Sequence, residues 1–209
     1  MQKISREDYN SEALMRLVRS VTFFKDIVKL DAEQFELLLS VCKFVQAPAG
    51  DVVMRKGDEA NTLYFLLRGQ MAVFNEDEGE SLNLINPGEV FGTLSMVTGQ
   101  GRSATVKAET DVILLGMDFK YFNDIHDFSM FNIQTKLVAY RMVVHNVRWT
   151  LEMNKMRQPD HAYVARLSKA PVYHGEKGGK EELLFLHEQA QYLAELLSDW
   201  NEASQPSMF

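Results

Sequence analysis

Apolar residues along the first part of the chain recur at the helical period. Leu14, Leu17, Val18 and Val21 share one helical face and predict an amphipathic helix at the N-terminus. Asp31 with Gln34 three residues on reads as a helix start, and Phe35, Leu38, Leu39 and Cys42 then fall on one face. Cys42 on that face reads as a small buried hydrophobe. After Pro48-Ala49-Gly50 the pattern shortens to strand-like runs at residues 51–54, 62–67, 70–75, 81–85, 103–109 and 112–117, set apart by Gly, Asn and Asp. Several short strands at that spacing predict an all-β barrel or double sheet. The acidic run at residues 76–80 reads as a solvated hairpin tip, and its spacing does not fit a calcium loop. Gly57 and Gly69 read as turn formers.

From Phe131 the period changes again. Ile133, Leu137, Tyr140, Val144, Val147 and Leu151 are spaced alternately four and three apart, a heptad seam sustained for nearly three repeats. A long helix with such a seam is expected to pair with its twin in a second chain; the alternative is that the seam packs on its own domain. Pro159 closes this helix. Ala162, Val164, Ala165 and Leu167 suggest a short helix, residues 173–180 a loop, and Leu186, Ala190, Leu193, Ala194, Leu197 and Trp200 one face of a last helix. The expectation is an α+β chain in four parts. A helix spans 1–22, an antiparallel β-barrel 23–125, a long dimerisation helix 126–157, and a short helical tail 158–209.

The stretch that carries chemistry begins at the turn Asn86-Pro87-Gly88. It runs through Phe91-Gly92-Thr93-Leu94 and on to Arg102-Ser103. Gly92 lets backbone approach a ligand closely, and free N–H groups of the following turn suit an anion. A guanidinium at 102 could form a fork to phosphate oxygens. Gly92, Thr93, Leu94, Arg102 and Ser103 together make a candidate cassette for one phosphate group.

With these residues in view, 23–125 resembles the cyclic-nucleotide-binding domain of the catabolite-activator/fumarate-nitrate-reductase regulator superfamily. The resemblance rests on four features. They are Gly50-Asp51 before a strand, Gly57-Asp58-Glu59-Ala60 leading into Leu63-Tyr64-Phe65-Leu66, Gly69 at the next turn, and Phe91-Gly92 with Arg102-Ser103-Ala104. It implies a double-stranded β-helix, a cyclic nucleotide such as cyclic AMP or cyclic GMP as effector, and a parallel dimer whose long helices lie over the pocket mouths. It also implies base contacts from the long helix, for which Arg141, Arg148 and Trp149 are candidates. Trp149 has a structural role as its alternative, and His145 reads as a helix-surface residue. The sequence departs from the family pattern at Thr93, where a carboxylate would accept the ribose 2′-hydroxyl. It departs again at the C-terminus, where a winged helix-turn-helix is expected. Leu186 to Leu197 looks a little like the first helix of that unit, but Ser198 replaces the turn glycine and Pro206 interrupts what remains.

Charge narrows the function further. The 209 residues carry a net charge of -7, and residues 158–209 hold four basic and eight acidic side chains, the wrong sign for phosphate contacts with DNA. Residues 131–157 hold five basic and one acidic, which could suit a phosphate ligand or an acidic partner, although a solvated helix face is the commoner outcome. A single cysteine excludes a disulfide framework and a four-cysteine metal or iron–sulfur site. Neither a metal site, a signal peptide in residues 1–9 nor a membrane-spanning run is expected, so the cytoplasm is the default. No Ser-His-acid set, two-metal cluster or Walker loop suggests an enzyme. Three functions stand. The first is a ligand sensor signalling through a dimer helix to a C-terminal segment that contacts a protein partner. The second is a ligand-free dimerisation and docking module, and the third, by family analogy alone, a DNA-binding regulator.

Overall fold

The computed structural model describes residues 2–3, 11–75 and 81–203. The acidic run at 76–80, most of the N-terminal stretch and the end of the tail, including Pro206, lie outside the described residues. Three helices lead in: α1 (Ser11–Ser20), α2 (Thr22–Leu30) and α3 (Ala32–Val41). Asp31 caps α3, its carboxylate accepting from the backbone N–H groups of Glu33 and Gln34 at 3.0 and 3.1 Å, as the Asp31/Gln34 pair predicted. Strands follow: β2 (Cys42–Ala47), β3 (Val52–Met54), β4 (Thr62–Arg68), β5 (Met71–Phe74), β6 (Asn83–Ile85) and β7 (Val90–Phe91), with β1 (Gln2–Lys3) paired on β2. Then come α4 (Thr93–Thr98), β8 (Thr105–Ala108), β9 (Val112–Asp118) and α5 (Lys120–Asn123).

The strands make two antiparallel sheets, ordered β1-β2-β9-β4-β7 and β3-β8-β5-β6, rather than a closed barrel. Strand β4 shows why the roll sits where it does. Side chains alternate along a strand, so Leu63, Phe65 and Leu67 join the helices in one core while Leu66 joins Met71, Val106 and Leu114 in a second core within the roll. Phe65 stacks on Phe23 of α2 with ring centroids 5.2 Å apart, fastening the lead-in helices to the sheet. Two details depart from expectation. The lead-in is two helices meeting at Val21, and α2 crosses the boundary drawn at 22/23. Cys42 begins β2, opposite Met117, and is only partly buried, because the α3 pattern ends one residue earlier.

The larger departure concerns the long helix, α6 (Ile133–Arg157), which Asn132 caps by accepting from the Thr135 backbone N–H at 2.9 Å. Its seam is covered within its own chain. Leu137, Tyr140, Val144, Val147 and Leu151 are all buried within one chain, and Ile133 packs on the same core. The partner is α8 (Lys180–Ala203), reached through α7 (Val164–Ser168). At 24 residues α8 is no short tail; it starts at the last residue of the expected loop. Gln134 Nε2 donates to Gly178 O (3.0 Å), Tyr140 Oη meets His187 Nδ1 (3.1 Å), and Trp200 Nε1 donates to Gln158 Oε1 (3.2 Å). Start lies by start and end by end, so the two helices run in the same direction. The seam packs on its own domain, the alternative reading of the heptad pattern, and the helix that it meets runs parallel to it. Among the described residues no helix is long and apolar enough to cross a membrane.

Candidate functional site

Between the roll, α6 and the end of α8 lies a cavity of about 990 Å³, within the range of small-molecule sites. Gly92 stands on its wall, between β7 and α4, with φ of 81°. That left-handed conformation suits glycine, and the space does too. A Cβ there would lie 2.6 Å from Arg102 Nη1 and 2.9 Å from Met54 Cε.

Arg102 is held from both sides by backbone. Its N–H donates to Asp58 O (2.9 Å), and Gly57 N–H donates to Arg102 O (2.8 Å), so the Gly57 turn fixes the arginine's position. The residue is only 7 % exposed. Nη2 donates to Thr62 O at 2.6 Å and Nη1 makes a long contact of 3.5 Å to Gly92 O. Burial lowers its pKa, which Tyr64 and Asp58 partly offset, and an arginine stays charged throughout the working range. No carboxylate of the described residues lies within 4.0 Å of it. A buried cation without a counter-ion is costly, and this one lines the cavity beside Gly92. Leu94, partly buried, and Ser103, exposed, lie on the same wall. Phe91 stacks on Tyr64 behind the loop, centroids 5.6 Å apart.

Thr93 also lines the cavity, and its hydroxyl is engaged by the long helix. It is 4 % exposed and its hydroxyl donates to Asn146 Oδ1 of α6 at 2.6 Å. Asn146 Nδ2 in turn donates to Val90 O at 3.0 Å. One α6 side chain thus grips the chain on both sides of Gly92, and the Thr93 hydroxyl is spent on that grip.

The base-contact candidates separate. Arg141 is committed to α8: its guanidinium meets Glu182 at 2.7–2.9 Å through three contacts, while Gly178 N–H donates to the same carboxylate at 2.6 Å. Burial opposes ionisation of Glu182, but Gly178 and Arg141 outweigh it and hold the carboxyl below its usual value. Arg148 is partly exposed and lies off the cavity wall. Arg141 and Trp149 both line the cavity, and Trp149, 56 % exposed, offers a free aromatic face to a flat ligand. His145, Glu89 and Asp26 also line the cavity, as do Leu197, Trp200 and Asn201 of α8. No group of three or more His, Cys, Asp or Glu that could hold a metal converges among the described residues.

Asn146 and the α8 residues were not visible as site residues in the sequence. Asn146 stands beside His145 between Val144 and Val147, a polar pair of the kind that any solvated helix position shares.

Residues 44–127 match the family model described as cyclic nucleotide-binding domain. The cAMP-dependent protein kinase type II regulatory subunit of Drosophila melanogaster is 29% identical over 120 residues, covering 57% of this chain and 30% of the relative. The cAMP-activated global transcriptional regulator CRP of Salmonella typhimurium is 33% identical over 94 residues, 43% of this chain and 45% of that one. The chain thus spans less than half the length of these curated relatives. Among solved structures, the fold is shared with cAMP-bound PfPKA-R (141–441), at a TM-score of 0.52 and 18% identity over 68% of this chain and 47% of the other. On residues 44–127 the chain therefore carries a cyclic nucleotide-binding domain.

Proposed function

We propose that the chain is a sensor of a phosphate-bearing ligand of the cyclic-nucleotide type, bound in the cavity between the roll and α6. One observation carries the reading. Arg102 is a buried arginine without a carboxylate partner among the described residues, on the wall of a cavity of about 990 Å³ and pressed against a glycine that leaves it room. A cyclic phosphodiester would supply the missing negative charge, and two charge-assisted hydrogen bonds to the fork favour it over an uncharged ligand. Trp149 would offer its exposed face to the base. The relatives support cyclic AMP as the first ligand to try, since two are named for cAMP and one was solved with it.

A ligand signals only by preferring one arrangement of the protein over another. Asn146 supports a route: the loop that would meet the phosphate is hydrogen-bonded to α6, and α6 is paired with α8. No chemical transformation of the ligand is proposed.

The test is a calorimetric titration of the full chain with cyclic AMP, cyclic GMP and cyclic dinucleotides, beside Arg102→Ala. Saturable heat is expected for at least one of them. The variant should bind it at least tenfold more weakly, since a hydrogen bond to a charged group contributes roughly 1.5–3 kcal/mol. Silence at millimolar ligand, or equal affinity in the variant, would overturn the sensor and favour the docking module, a reading that the occupied Thr93 hydroxyl also suits.

A further inference from the structure

We infer that α8 stands in for a second copy of the chain: the protein acts as a monomer, and the last turns of α8 close the ligand cavity that a neighbouring subunit would otherwise have to cover. The part on cavity closure rests on the sensor reading above; the part on the monomer does not.

The two helices carry matching seams. On α6 the apolar positions are Ile133, Leu137, Tyr140, Val144, Val147 and Leu151; on α8 they are Leu183, Leu186, Ala190, Leu193, Leu197 and Trp200. Both sets alternate steps of three and four, the spacing that lets parallel helices interlock. Every α8 seam residue is buried, Ala190 and Leu193 fully. A twin α6 could reach the same seam only by evicting α8.

That eviction is opposed by more than apolar contact. The buried Glu182 ties the start of α8 to Arg141 of α6. The connecting segment is itself stitched to α8. Arg166 Nη1 meets Asp199 at 2.8 Å, Tyr192 Oη donates to Arg166 O at 3.0 Å, and His161 stacks on Trp200 with centroids 4.5 Å apart. A segment joined through a short linker competes at an effective concentration on the order of millimolar, far above a micromolar second chain.

The far end of α8 then reaches the site. Leu197, Trp200 and Asn201 line the same cavity as Arg102, and Ser198 Oγ lies 3.3 Å from Gln100 Oε1 just beyond α4. The wall of the cavity that holds Arg102 therefore includes residues from the chain's own last helix.

The experiment has two arms, both on the full chain. Sedimentation equilibrium from 1 to about 200 μM, a range chosen to lie below the roughly millimolar effective concentration, should give a constant mass of 23.9 kDa. A concentration-dependent rise towards twice that mass overturns the monomer, as does restored thermal stability on mixing equal amounts of Arg141→Glu and Glu182→Arg chains, which would mean that α8 pairs between chains. The second arm is hydrogen exchange with and without saturating cyclic AMP. Slower exchange is expected both in residues 90–103 and in residues 196–203. Slowing in the first region alone overturns the closure by α8, whereas no change in either region is failure of the sensor reading and leaves the monomer to stand on the first arm.

Discussion

Removing Arg141 is the sharpest test of how α6 is held to α8. Glu182 is 4 % exposed and takes three contacts of 2.7–2.9 Å from the guanidinium. In Arg141→Ala the carboxylate keeps only the Gly178 N–H, at 2.6 Å. Breaking a buried pair costs about 3–5 kcal/mol and an exposed pair about 0–1. This pair lies between those limits, because the Arg141 side chain is 43 % exposed and water can replace part of what it supplied. The expected loss is about 2–3 kcal/mol, a fall in Tm of about 4–12 °C for a chain of this size. Urea titrations at neutral pH measure it. Acid supplies the control. Because the folded Glu182 carboxyl is held below its ordinary value of 4.5, its contribution is present above that pH and is lost as pH falls through the depressed value. The parent and variant should therefore converge in acid. A loss under about 0.5 kcal/mol, the ordinary range of surface substitutions, or a gap that persists unchanged in acid, would refute the reasoning.

Other outcomes follow from the site. Asn146→Ala strips the buried Thr93 hydroxyl of its acceptor and Val90 O of a donor. A loss of about 1–3 kcal/mol is expected, and a cycle with Thr93→Val should show coupling of at least about 0.5 kcal/mol in urea melts. Gly92→Ala places a methyl 2.6 Å from Arg102 Nη1 at a left-handed φ of 81°, so calorimetry should find weaker ligand binding together with a stability loss of about 1–3 kcal/mol. Burial holds His187 below its ordinary value of 6.5, with Glu188 opposing and His126 adding to the effect. The unfolded chain then binds more protons, so Tm measured against pH should fall as pH drops through 6.5, and His187→Leu should flatten that slope.

What could be read from the chain beforehand has local causes. The Asp31/Gln34 cap, the strand-length runs between turn residues and the seam of α6 each depend on neighbours a few positions apart, so spacing alone reveals them. The order Phe91-Gly92 then Arg102-Ser103 placed the cassette, because a tight backbone turn needs its glycine wherever the strands go. The direction of the Thr93 hydroxyl was not legible. Its acceptor lies on α6, 53 positions away along the chain, and only packing brings the two together. Arg141 is a similar case: 41 positions separate it from Glu182.

The sequence by itself determined that this protein would have a roll of short strands, Gly92 and Arg102 brought to one hollow, and a long helix seeking a partner, since periodicity and turn chemistry are written in short range. Only the tertiary structure decided who that partner is. A heptad seam specifies the shape of what it buries but neither its direction nor which chain supplies it, and here the return segment stitched to α8 delivers the matching seam from within.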